Sequence, residues 1–149
     1  ILRFPFAIHA GWITAATALN TSVVAVSRSA PADAQLALGI VSLAVLHAVS
    51  VWVLFQLKKG PNYTMACVLS WANGWIYAEL QEPEELIVAT FSEDIINGVA
   101  YAAFAVAFII LAQVVVRVGM AIVQRLRGAE ISEGSHSNDT NSFEDDANV

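Results

Sequence analysis

Four intervals without a charged residue constrain what this chain can fold into. Arg3 to Arg28 encloses 24 residues, Asp33 to Lys58 another 24, Lys59 to Glu79 19, and Asp94 to Arg117 22. Roughly 20 apolar residues in a helix cross a hydrocarbon layer ~30 Å thick. Of the 149 residues, 57% are hydrophobic and 13% charged, against about 25% charged in soluble domains. A soluble core of this size could not hide so much apolar surface. The pattern predicts an all-α integral membrane bundle of four transmembrane helices within residues 1–127, with spans at about 4–26, 34–57, 62–80 and 94–118. The polar, acidic stretch 128–149 has few apolar side chains and is expected to form a disordered tail.

The connections are short. Pro31 marks a helix start after residues 27–30, and Gly60-Pro61-Asn62 reads as a tight turn. The longest loop is 79–94, whose apolar centre, Glu84–Phe91, suits a short interfacial segment. Ser92 is a fair N-cap for the last span, with Glu93 and Asp94 in its first turn. With four spans, Arg3, Lys58, Lys59, Arg117, Arg125 and Arg127 share one side, six of the seven basic residues. The positive-inside rule then places both termini on the cytoplasm-like side, which is stroma or matrix in an organelle. An organellar membrane, thylakoid or mitochondrial inner, is favoured over a bacterial inner membrane.

The first span carries unusual polar interruptions. At 100° per residue, Gly11, Ala15, Ala18 and Ser22 share a face with Ala7, and small residues at this spacing let a neighbouring helix approach closely. His9, Trp12, Ala16 and Asn20 occupy the opposite face, so contact on both faces is expected. The His9/Trp12/Asn20 stripe either faces a ligand or makes interhelical hydrogen bonds around a packed tryptophan. In the second span His47 is an intramembrane ionisable residue, a functional candidate by default. A neutral imidazole can also ligate a tetrapyrrole metal, but no paired histidine motif accompanies it, and a satisfied packing histidine is the alternative.

In the third span Ser70, Asn73 and Tyr77 form one stripe. Trp71 and Trp75 stand one turn apart on another, either lining an apolar pocket for a flat ligand or forming an interfacial aromatic belt. Asn97, Tyr101, Phe104 and Phe108 form a stripe in the last span that reads as helix packing. The same helix is expected to continue past Arg117 as an amphipathic extension whose arginines face anionic lipid. Cys67, the only cysteine, cannot form an internal disulfide and reads as a small packing residue.

No Ser/His/Asp set, CxxC pair or phosphate-binding glycine loop is present, and no carboxylate lies inside the four charge-free intervals. Enzymes, pumps and proton-coupled carriers generally need one of these, which points to a non-enzymatic protein. No basic patch or nucleic-acid motif appears either.

Pro5-Phe6, Trp12-Ile13-Thr14, Ala16-Thr17 and Leu19-Asn20 resemble the last-helix signature of the translocator/tryptophan-rich sensory protein (TspO/MBR-like) superfamily. The longer members look closer still, and Tyr63 and Trp71-Ala72 match their Tyr…Trp-Ala run. The resemblance is to the C-terminal part of such proteins. It implies a helical membrane protein that binds tetrapyrroles or other lipophilic molecules in an aromatic-lined pocket, and it points to Pro5, Trp12, Thr17 and Asn20. His9 and Ala10 depart from the usual aromatic and Leu, and a pocket of the family kind is expected to be completed by further N-terminal sequence or by other subunits.

Two functions follow as expectations. One is an accessory or scaffolding subunit of a larger membrane complex, with lipid and other membrane subunits as partners. The other is a free-standing sensor or transporter for a tetrapyrrole or lipophilic ligand. Ligand contacts are expected at His9, Trp12, Asn20, His47, Trp71 and Trp75. The ligand itself is left open between a tetrapyrrole (chlorophyll or haem) and a carotenoid or lipid.

Overall fold

The computed structural model describes residues 3–56 and 60–145, with side chains described over 4–56 and 60–128. Its elements are α1 (Arg3–Ser27), α2 (Ala32–Leu54), α3 (Tyr63–Gln81), α4 (Glu85–Thr90) and α5 (Glu93–Asp145). There is no strand among the described residues. The four long helices fall on the four charge-free intervals, and α4 occupies the expected interfacial segment, with no buried residue.

Local chemistry sets the helix ends. Pro5 lies in the first turn of α1, where backbone N–H groups lack helical partners anyway. At the other end Ser29 adopts φ 50°. Its N–H bonds to Val26 O at 2.9 Å, and that of Ala30 to Ala25 O at 3.0 Å. This paired closure normally uses glycine at the left-handed position. Pro31 then caps α2. Gly60 sits at φ 75°, consistent with the expected turn. Asn62 caps α3 by accepting the Met65 N–H on its side-chain oxygen at 3.1 Å. The backbone carbonyl of Ser92 accepts from Ile95 and Ile96 at the start of α5.

The chain divides into two compact units, residues 1–114 and 115–149. In the first, α1, α2 and α3 pack against one another. The core gathers Ala15, Leu46, Val53, Leu54, Met65, Ala66, Leu69, Ala72, Ile110 and Val114. Side-chain hydroxyls reinforce it: Ser42 donates to Ala18 O at 3.0 Å, and Ser70 to Ala107 O at 2.8 Å. The expected small face of α1 is the packed one. Ala7, Gly11 and Ala15 are buried, with Ala18 and Ser22 half-buried. A Cβ on Gly11 would come within 2.8 Å of Val68 Cγ1, so glycine sets the close approach of α1 to α3.

Hydropathy separates the four long helices. Among the described residues, α2 and α5 over Glu93–Gly128 are the helices long and apolar enough, by length and composition, to cross a membrane. Thr, Asn, Trp and Tyr lower the hydropathy of α1 and α3 below that level. The backbone of α5 is helical to Asp145. No proline follows Pro83 to force an exit from the helix. Residues 146–149 lie outside the described residues, as do Lys58 and Lys59. On the other face of α1, Trp12 meets Trp71, while His9, Ala16 and Asn20 are exposed.

α5 packs through Ile96, Ala100, Ala103, Ile110 and Val114, all buried, rather than through its aromatic stripe. Tyr101 and Phe104 lie at the margin of that face, with centroids 6.4 and 5.1 Å from Tyr77, while Phe108 is exposed. Small side chains let the backbones approach, which the aromatics would prevent. Cys67 is exposed rather than a packing residue.

Candidate functional site

The seam between α1 and α3 holds the most organised group of candidate side chains. Gly11 brings the two backbones together, and Trp12, the next residue, reaches Trp71. Their rings meet edge-on, with centroids 5.1 Å apart and planes at 71°. Trp71 in turn stacks on Trp75 one helical turn later, at 5.6 Å and 21°. Both geometries are favoured by the ring quadrupole. The three rings form one continuous aromatic wall that is open on its outer side: Trp12 is 46% exposed, Trp71 52% and Trp75 60%. The flanking stretches 4–27 and 60–78 carry no charge, so the wall is electrically neutral.

Such a wall suits a flat, apolar, π-rich molecule, which can stack on the indole faces or edges. The three tryptophans themselves offer a tetrapyrrole stacking surface and no axial ligand for its metal. Among the described residues, no three His, Cys, Asp or Glu side chains come together as a metal site.

The remaining candidates stand elsewhere. His9 and Asn20 are exposed on α1, about one and two turns from Trp12 on the same face. His47 is half-buried in α2. Its Nδ1 is buried without a hydrogen-bond partner among the described residues. Asn73 is fully buried; its Nδ2 donates to Leu69 O at 2.8 Å, while Oδ1 has no partner. The Ser70/Asn73/Tyr77 stripe faces the core and α5, whereas Trp71 and Trp75 face outward.

Among the described residues, concavities also lie apart from the wall. One, of about 390 Å³, runs between α1 and α2 and is lined by Ile13, Thr14, Thr17, Ala18, Thr21, Leu38, Val41, Ser42 and Val45. Its threonine hydroxyls donate to carbonyls four residues back: Thr14 to Ala10, Thr17 to Ile13 and Thr21 to Thr17. Another, of about 830 Å³, opens where Phe4, Phe6, Ala7 and Ala10 face Gln56 and residues 60–64. Sequence reading misses this mouth, because it is assembled from a helix start and the turn before α3. Phe6, next to Pro5, is the only hint of it in the signature.

Comparison with known proteins gives one match. The family model described as TSPO-like protein covers residues 1–116. No curated protein and no solved structure matches the chain.

Proposed function

The chain belongs to the TSPO-like protein family, and from that membership we propose that it binds a flat lipophilic ligand of the tetrapyrrole class on the Trp12–Trp71–Trp75 wall. It is a membrane protein of the TspO type, and the proposed role is binding rather than catalysis. We place α1, α2, α3 and the first part of α5 as four spans, with both termini on the cytoplasm-like side. The distribution of Lys and Arg supports that orientation. The observation that carries the ligand reading is the wall itself: three indoles from two helices in mutual ring contact, unscreened on one side.

Tryptophan fluorescence tests it. A porphyrin should quench emission saturably in detergent-solubilised protein. Trp71→Phe should weaken the apparent affinity by about 3- to 10-fold, the worth of one aromatic contact. Trp52 is 65% exposed and lies on α2, so Trp52→Phe should leave affinity unchanged. Quenching no stronger than nonspecific partitioning into detergent would refute the reading.

The openness of the wall favours a second reading, in which the protein is an accessory subunit whose exposed tryptophans are covered by another membrane subunit, with pigment or lipid between them. Native mass spectrometry of the mildly extracted protein separates the two. A partner should co-purify under the second reading, and a monodisperse monomer would count against it.

A further inference from the structure

The part of α5 beyond the length of a membrane span has two sharply different sides. Glu93–Gly128 is a 36-residue apolar helix, whereas a bilayer crossing takes about 20. Counted from Asp94, a crossing ends near Val114 to Val118, and the helix continues. At 100° per residue, Gln113, Arg117, Gln124, Arg125 and Arg127 fall within an arc of about 160°, which also holds Met120 and Ala121. Val115, Val118, Ile122, Val123 and Leu126 fall on the opposite side, and all are exposed.

The charge on this stretch has a single sign. No acidic residue occurs between Asp94 and Glu130, so residues 113–128 carry three arginines and no counter-charge in their own segment. Arg125 and Arg127 are exposed. A helix that pairs with another protein helix usually carries interspersed charges of both signs. Apolar residues opposite an arc whose charges are all positive instead match the boundary between acyl chains and anionic headgroups. We propose that residues 115–128 of α5 form a lipid-surface module. Its Val115/Ile122/Leu126 side seats in the cytoplasm-side leaflet, and Arg125 and Arg127 contact anionic headgroups.

The test uses the full-length chain reconstituted in vesicles. In a Cys67→Ala background, a single cysteine at Ile122 or at Gln124 carries an environment-sensitive fluorophore. Vesicles are either neutral phosphatidylcholine or phosphatidylcholine with phosphatidylglycerol. In anionic vesicles the probe at 122 should emit to the blue and be quenched by lipid-borne quenchers, while the probe at 124 remains open to iodide. The double change Arg125→Gln/Arg127→Gln should move the ratio of seated to water-exposed probe by about 30-fold, at roughly 5-fold per arginine. Arg125→Lys/Arg127→Lys should restore it, which shows that charge and not a folding defect is measured. Equal iodide access at 122 and 124 would overturn the proposal. So would protection of 122 that is indifferent to lipid charge or grows with protein density, because it would mean a protein partner or a second copy covers this face.

Discussion

Replacing Gly11 by alanine tests the contact on which the aromatic seam depends. An added Cβ would lie 2.8 Å from Val68 Cγ1 and 2.9 Å from Val68 Cβ, with Met65 O at 3.6 Å. The first two distances are well inside van der Waals contact, and Val68 cannot readily turn away, because a β-branched side chain in a helix has one strongly preferred rotamer. Overpacking of this kind costs about 1–3 kcal/mol. Alanine in a helix interior recovers roughly 0.8–1.0 kcal/mol relative to glycine. The net expectation is a loss of about 0–2 kcal/mol. The decisive measurement is a double-mutant cycle with Val68→Gly, which removes the methyl groups and also the Cβ at 2.9 Å, read by equilibrium unfolding in mixed micelles. With the clashing side chain gone, Gly11→Ala should change sign and stabilise by up to about 1 kcal/mol. Because Trp12 follows Gly11, the single variant should also change Trp12–Trp71 coupling in near-ultraviolet circular dichroism, and the double variant should restore it. An equal effect of Gly11→Ala with and without Val68 would refute close packing as the reason for glycine here.

Two further changes probe the helix ends and the interhelical bonds. Ser29 holds a left-handed conformation that costs a non-glycine residue roughly 1–2 kcal/mol. Ser29→Gly should therefore raise the unfolding midpoint, with a gain of a few tenths to about 1 kcal/mol after the extra chain entropy of glycine is counted; a lower midpoint would contradict the assignment. Ser70→Ala removes the hydroxyl that donates to Ala107 O and should cost about 0.6 kcal/mol, with ~1.7 kcal/mol as the upper end for such bonds between membrane helices. Ser70→Thr, which keeps the hydroxyl, should recover part of that loss in the same unfolding assay.

Much of the helical layout is legible from the positions of charges. Arg28 and Asp33 bracket the first connection, Lys58 lies just after α2, Glu79 sits near the end of α3, and Glu93 and Asp94 open α5. The packed face of α1 is legible too, because small residues at helical spacing have a single mechanical use among apolar helices. The packing face of α5 is less visible. In a soluble helix the apolar side marks the core, but α5 is apolar all round, so only side-chain size separates Ala100 and Ala103 from Tyr101 and Phe104. The meeting of Trp12 with Trp71 depends on which helix lies beside α1 and at what height, and periodicity within one helix carries neither. The outward position of Cys67 escapes for the same reason as the face of α5. In a lipid-compatible bundle, an apolar letter no longer means an interior position.

The threonines of α1 bear on how its polarity should be counted. Thr14, Thr17 and Thr21 each return their hydroxyl hydrogen to a carbonyl one turn back in their own helix. The donor is already spent, and the methyl group remains as an outward-facing surface. A residue-by-residue hydropathy scale still charges each threonine as though it sought water. α1 is thus greasier in three dimensions than in one, and its shortfall against α2 overstates its reluctance to enter lipid. The same back-bonding draws on carbonyls that already serve the helix ladder, which lengthens those rungs and favours a gentle bend. The helix bearing the family signature thus carries three side chains of the kind that favours a bend, and their hydroxyls are satisfied within the helix itself.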